Sequence, residues 1–281
     1  MQVPEWLNLA FGVGSALSWG AGDFSGGFAT RRSSALTVIF YSQWVGGALM
    51  LAMAWLLAEK IPPVSFFLFG AGAGLFGVLG LICLYKGLAM GRMGLVAPIS
   101  AIMTAILPIL FSLALEGLPR ITQLLGFGLG LFAVFLLSLG DGDGRVTAME
   151  LVLSLVAGVC FGLFFIFLGW VSHEAILWPL VGARCASLAL LAGLLVYLKP
   201  QRKPVKADFI FIVLAGILDV AGNSFFALAA RYGRLDISAV LASFYPAATV
   251  LLARLVLKEV MQPRQWAGVA MALAALGLIA G

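Results

Sequence analysis

Charge is scarce in this sequence. Only 10% of its 281 residues are Asp, Glu, Lys or Arg, against roughly a quarter in soluble domains, which excludes an ordinary water-soluble fold. There is one histidine, His173, beside Glu174 at the end of an apolar run, a position that suits an exposed interfacial role better than catalysis. The three cysteines, Cys83, Cys160 and Cys185, lie inside apolar runs. They show neither metal-ligand spacing nor the even count of a disulfide framework, so they read as small packing residues. No His-Glu, Cys-His or Ser-His constellation falls within an apolar run, which argues against an intramembrane enzyme. No P-loop or Walker pattern is present to bind a nucleotide. Neither a cofactor nor a metal is expected. A basic n-region and an A-x-A-like site are also missing around the first apolar run, which therefore reads as a span and not as a cleavable signal.

What fills the sequence instead is hydrophobic residue, 63% of the total. Stretches of about twenty apolar residues, each long enough as a helix to cross a hydrocarbon core of roughly 30 Å, recur from end to end. They lie near 7–28, 35–58, 66–90, 93–115 and 121–140, then near 151–171, 175–198, 208–231, 235–257 and 264–280. The breaks carry turn-forming tracts such as Arg31-Arg32, Glu59-Lys60-Ile61-Pro62-Pro63, Gly91-Arg92, Glu116-Gly117-Leu118-Pro119-Arg120 and Asp141-Gly142-Asp143-Gly144. The net charge of +5 comes from 17 Lys and Arg placed mostly in these connections, a distribution that reads as membrane topology and not as nucleic-acid binding.

Shifting the sequence by 142 positions lays Gly20 on Gly162, Gly74 on Gly216, Gly80 on Gly222, Gly91-Arg92 on Gly233-Arg234, and Gly126 on Gly268. The chain is therefore an internal duplication, with one copy over 1–140 and the second over 150–281. Five spans per copy is an odd number, so the second copy enters the membrane from the opposite side and the repeat is inverted. Inverted halves can exchange conformations around a midplane site, which is the basis of alternating access. Connections after odd-numbered spans hold Arg31, Arg32, Arg92, Arg145, Lys199, Arg202, Lys203, Lys206, Lys258 and Arg264, while even-numbered ones hold Lys60, Arg120, Arg231 and Arg234. The positive-inside rule puts the richer set in the cytoplasm and both termini outside.

In each copy the fourth span closes on Leu-Glu or Lys-Glu, followed by a short polar turn and a glycine-containing last span. Leu113-Ala114-Leu115-Glu116-Gly117 precedes Gln123-Leu124-Leu125-Gly126; Pro246 through Leu257-Lys258-Glu259 precedes Gln265-Trp266-Ala267-Gly268. Over essentially the full chain this pattern resembles the EamA family of the drug/metabolite transporter superfamily. Ser18-Trp19-Gly20-Ala21-Gly22-Asp23-Phe24 also looks like the first span of bacterial members. The resemblance implies an all-α integral membrane protein of ten helices around a central cavity lined from both halves, with the fifth and tenth spans at the periphery. It further implies a bacterial inner-membrane protein that moves amino acids, other metabolites or drugs, often outward.

A charge at bilayer depth costs at least about 2.5–3.5 kcal/mol on insertion scales, so each such residue needs a partner, water or a function. Arg254 lies close enough to its span end to snorkel. Depth counting pairs the other four: Asp23 with Lys86 near one face, and Arg184 with Asp219 near the midplane. Such pairs either neutralise each other and hold the halves in register, or face a wet cavity and bind solute. The polar and aromatic residues Trp19, Gln43, Trp44, Asn223, Ser243 and Tyr245 are candidates for the same pocket. Pro108 and Pro246 are candidate gating kinks. Glycine rows at Gly70-x-Gly72-x-Gly74 and Gly126-x-Gly128-x-Gly130 read as packing seams within one chain, so a monomer is expected and a dimer is the alternative.

Two buried acids against two buried bases suit a zwitterionic or neutral amphipathic solute such as an amino acid, moved by a secondary transporter. The competing expectation is proton-coupled export of lipophilic organic cations, which an unpaired Asp23 ringed by Trp19 and Trp44 would favour. The expected partners are a small-molecule substrate and the lipid bilayer.

Overall fold

The computed structural model of the chain describes residues 5–89, 93–138, 147–199, 204–257 and 262–280. The Gly91-Arg92 and 141–144 turns and the Lys258-Glu259 pair lie outside the described residues, and so do Arg145, Arg202, Lys203 and the side chain of Arg254. The described residues form α-helices: α1 Glu5–Ala29, α2 Ala35–Leu56, α3 Val64–Ala89, α4 Met93–Leu115, α5 Ile121–Ser138, α6 Ala148–Ser172, α7 Leu177–Leu198, α8 Phe209–Tyr232, α9 Leu235–Ala242, α10 Tyr245–Leu257 and α11 Pro263–Ala280. A single 3₁₀ turn, Lys206–Asp208, leads into α8.

Five of the described helical stretches are long and apolar enough to cross a membrane by length and composition: Ala35–Leu56, Val64–Gly87, Ala148–Ser172, Leu177–Leu198 and Lys206–Tyr232. Two shorter apolar stretches, Ile99–Leu115 and Ile121–Leu137, join them. The others fall short for reasons visible in their residues. Helix α1 is diluted by Asn8, Ser15, Ser18, Asp23 and Ser25, and α11 opens with Arg264 and Gln265. The ninth apolar run is split into α9 and α10. Large apolar side chains such as Trp55, Leu115, Tyr197 and Leu255 are exposed on the outer surface, as expected where hydrocarbon and not water is the surrounding medium.

Packing joins the halves. Helix α1 lies along α8 and α6 along α3; α4 meets α6 while α1 meets α9 and α10; α3 meets α7 while α2 meets α8; and α5 pairs with α11. Each of these contacts is either its own mate or has its mate under the 142-position shift. Glycine permits the closest ones. A Cβ on Gly74 would lie 2.1 Å from the Ala183 carbonyl oxygen, and one on its repeat mate Gly216 would lie 2.6 Å from that of Ser42. Both seams therefore bring backbone against backbone.

Polar contacts tie the connections together at two opposite ends of the bundle. At one end, Glu59 in the α2–α3 connection accepts hydrogen bonds from the backbone N–H groups of Ile176 (2.8 Å), Leu177 (2.9 Å) and Trp178 (2.9 Å), and its own carbonyl accepts from the Trp178 indole at 2.9 Å. It thereby satisfies the orphan donors at the start of α7. At this same end Arg234 donates to the Gly117 carbonyl at 2.8 Å, and the Asn8 amide donates to the Ala229 carbonyl and the Ser238 hydroxyl at 2.7 Å each. At the opposite end, Ser33 donates to Asp208 at 2.9 Å and accepts from the Val205 N–H at 3.1 Å.

Candidate functional site

Helix α2 turns Gln43 inward, α7 contributes Arg184 and Ser187, and α8 contributes Asp219 and Asn223. Arg184 donates to the Gln43 side-chain oxygen and to the Asp219 carboxylate. Ser187 donates to the same Gln43 oxygen at 3.1 Å, and Asn223 donates to the Asp219 backbone carbonyl. A guanidinium taken out of water needs such partners, because the desolvation cost is several kcal/mol. The pair is uneven: the Arg184 side chain is 9% exposed and that of Asp219 28%, so the carboxylate is the half turned to open space.

That space is a cavity of about 730 Å³, its open mouth included. Trp19, Asp23, Gln43, Arg184, Asp219, Asn223 and Tyr245 line it together with Gly77, Leu81, Thr104, Phe161, Phe164 and Phe165. An adjoining space of about 380 Å³ shares Trp19, Asp23, Gln43, Leu81 and Asp219, and runs past Gly26, Val38, Tyr85 and Ala215 toward the Asp208 end. On the Glu59 side aromatic rings pack against one another. Trp19 stacks on Phe165 at 5.3 Å and Phe165 on Phe226 at 4.2 Å.

The 142-position shift acts on the cavity wall itself. It pairs Trp19 with Phe161, Asp23 with Phe165, Gly77 with Asp219 and Leu81 with Asn223, and all eight line the cavity. The backbone positions are related by the duplication while the chemistry is not. Where one half presents an acid or amide, the other presents glycine, leucine or phenylalanine. The outcome is a lining whose polar side chains come from α1, α2, α7 and α8 and whose phenylalanines come from α6.

Some expected site residues stand elsewhere. Lys86 is exposed in the last turn of α3 and does not line the cavity, and the expected Asp23–Lys86 pair is absent. Its long side chain reaches outward from the span end instead. Among the described residues Asp23 makes no ion pair, so the cavity holds two acids against one base and not the balanced set expected. Trp44 is 55% exposed on the outer surface, because adjacent residues on a helix diverge by about 100° and Gln43 takes the inward direction. Ser243 is fully buried but spends its hydroxyl on the Val240 carbonyl at 2.7 Å. Pro108 is buried inside an unbroken α4, whereas Pro246 stands at the second position of α10, just after a break. Sequence reasoning passed over Phe161, Phe164 and Phe165, although their i, i+3, i+4 spacing on one helix face was the available signal.

The profile of the EamA-like transporter family matches residues 6–139 and again 148–281. The chain belongs to the EamA-like transporter family. As an EamA-like chain it is an integral, multi-pass membrane protein, and its family is one of transporters and not of enzymes. A solved crystal structure superposes with a TM-score of 0.78 over 96% of this chain and 95% of the other at 20% sequence identity. At that identity the likeness carries the EamA-like fold alone. No curated protein sequence matches the chain.

Proposed function

We propose that the chain is a ten-span secondary transporter of the bacterial inner membrane. In this reading α9 and α10 together form the ninth span, and two inverted five-helix repeats exchange an opening on one side for an opening on the other. The cargo is a small amphipathic metabolite, an amino acid or similar zwitterionic or neutral solute, moved outward by a monomer with both termini outside. The observation that carries this reading is the cavity with segregated walls. Its polar side, Asp23, Arg184, Asp219 and Asn223, takes a charged head, and its aromatic side, Phe161, Phe164 and Phe165, takes an apolar body.

The unpaired Asp23 beside Trp19 favours a second reading, a proton-coupled exporter of lipophilic organic cations, since an acid flanked by an aromatic ring recognises a positive centre without needing a carboxylate. Purified protein reconstituted in vesicles, tested for uptake of labelled amino acids and organic cations under imposed proton gradients, separates the two. Asp219→Asn and Arg184→Ala should each abolish solute uptake. Wild-type uptake rates in both variants would remove the cavity from the transport path.

A further inference from the structure

Resting on the reading of the cavity as a solute site, we infer that the adjoining space between Asp23 and Tyr85 is a subsite for a primary ammonium group, with the Asp23 carboxylate and the Tyr85 hydroxyl as its acceptors. Tyr85 is a half-buried residue near the end of α3, and the space it shares with Asp23 lies between the cavity and the Asp208 end of the bundle. Gly26 fixes where its hydroxyl stands. A Cβ on Gly26 would lie 2.9 Å from the Tyr85 oxygen, so the phenol reaches α1 itself. Asp23 is three residues earlier on the same face of α1, about 4.5 Å of helix rise away. Acid and phenol therefore flank one spot.

The duplication shows that this spot is not left over from packing. Gly22, Asp23, Gly26, Val38 and Tyr85 line it. Their mates under the 142-position shift are Phe164, Phe165, Leu168, Leu180 and Ala227, every one of them buried in a single apolar core. The same places in the repeat are thus filled and apolar in the second half. In the first half they hold two glycines, an acid and a phenol around a space.

Neither polar group is satisfied within the chain. Among the described residues the Asp23 carboxylate and the Tyr85 hydroxyl have no hydrogen-bond or ion-pair partner, and both border open space. Arg184, the cation that lines the cavity, is already taken by Asp219 and Gln43. An unpaired carboxylate at this depth calls for a positive partner, and the free acceptors decide which kind. Asp23 offers two oxygens and Tyr85 a third. A primary ammonium has three N–H donors to spend on them. A trimethylated nitrogen has none, and answers only the charge and the face of Trp19, which lines the same space.

The experiment compares primary and trimethylated nitrogens on the purified full chain. Dissociation constants are measured for L-phenylalanine and phenethylamine and for the N-trimethylated form of each, so that zwitterionic and cationic cargo are both covered. In whichever pair binds, the primary ammonium should be preferred by about tenfold or more, and Asp23→Asn should weaken its binding by a similar factor. Tyr85→Phe, which removes one oxygen and keeps the ring, should lower the preference about fivefold and leave the affinity for the trimethylated form within twofold of wild type. A preference that stays within twofold of wild type in Tyr85→Phe, or a wild-type protein that favours the trimethylated forms, overturns the subsite and leaves the transport reading standing. Binding of none of the four overturns the amphipathic-solute reading and the inference with it.

Discussion

Arg184 is held by three kinds of contact at once: the Asp219 carboxylate, the Gln43 side-chain oxygen and the packing of α7 against α3. Its consequences belong to the residue scale. Asp219→Asn leaves a guanidinium that is nine-tenths buried facing a neutral amide. Since breaking a buried pair costs roughly 3–5 kcal/mol, and part of that is relieved because Asp219 is 28% exposed, the expected loss of stability is about 2–4 kcal/mol by thermal unfolding in detergent. Adding Arg184→Gln to Asp219→Asn should recover part of that loss, because the orphaned charge is gone. A double variant less stable than the single one would show that the guanidinium is held mainly by other contacts. Trp19 and Trp44 make a second contrast. Trp19→Ala removes a ring that lines the cavity and stacks on Phe165 and should weaken solute binding at least tenfold. Trp44→Ala, on the outer surface, should leave the dissociation constant within about twofold.

At the scale of elements, Glu59 acts as a cap borrowed from elsewhere in the chain. Its carboxylate takes the first N–H groups of α7 from more than a hundred residues away. Replacing it with alanine should cost about 1–2 kcal/mol. If this end of the bundle is a gate, the variant should also make a cysteine placed at Leu180 react faster with a water-soluble maleimide added from the Glu59 side. An unchanged labelling rate would restrict Glu59 to stability. The α9–α10 break makes the opposite kind of prediction. Pro246→Ala restores a donor for the Ala242 carbonyl and should raise the melting temperature while slowing transport. A faster transporter would mean that the break is not the moving part.

For the whole molecule, the duplication relates helix to helix while leaving the cavity unlike itself. Asp23 lines the cavity together with the mate of its own position, Phe165, and Asp219 stands where the other half has Gly77. Under the proposed alternating access, two states exchanged by the repeat would share a backbone plan but differ in which residues meet the solute first. The proposed orientation is checked by labelling. In a cysteine-free background Arg31→Cys should react with an impermeant reagent from the cytoplasmic side and Lys60→Cys from the outside, both positions being exposed. The reverse pattern inverts the orientation, and labelling of both from one side is incompatible with α2 as a span.

Composition and spacing by themselves determined that this chain lives in a bilayer and is built twice, because hydrophobic length and a constant repeat offset are properties of the chain order alone. They also brought out Arg184 and Asp219, since two opposite charges at matching depth have few alternatives to meeting. Only the tertiary structure decided which way each side chain turns. Lys86 and Trp44 are as polar or as aromatic as the residues that line the cavity, yet one reaches out from a span end and the other lies a third of a turn off the inward face. Glu59 looked like part of a turn because the helix it caps is distant in sequence. The break before Pro246 needed the folded chain as well: Pro108 lies inside an intact helix, and whether a proline bends, ends or merely sits in a helix depends on what its neighbours supply in exchange for the lost hydrogen bond.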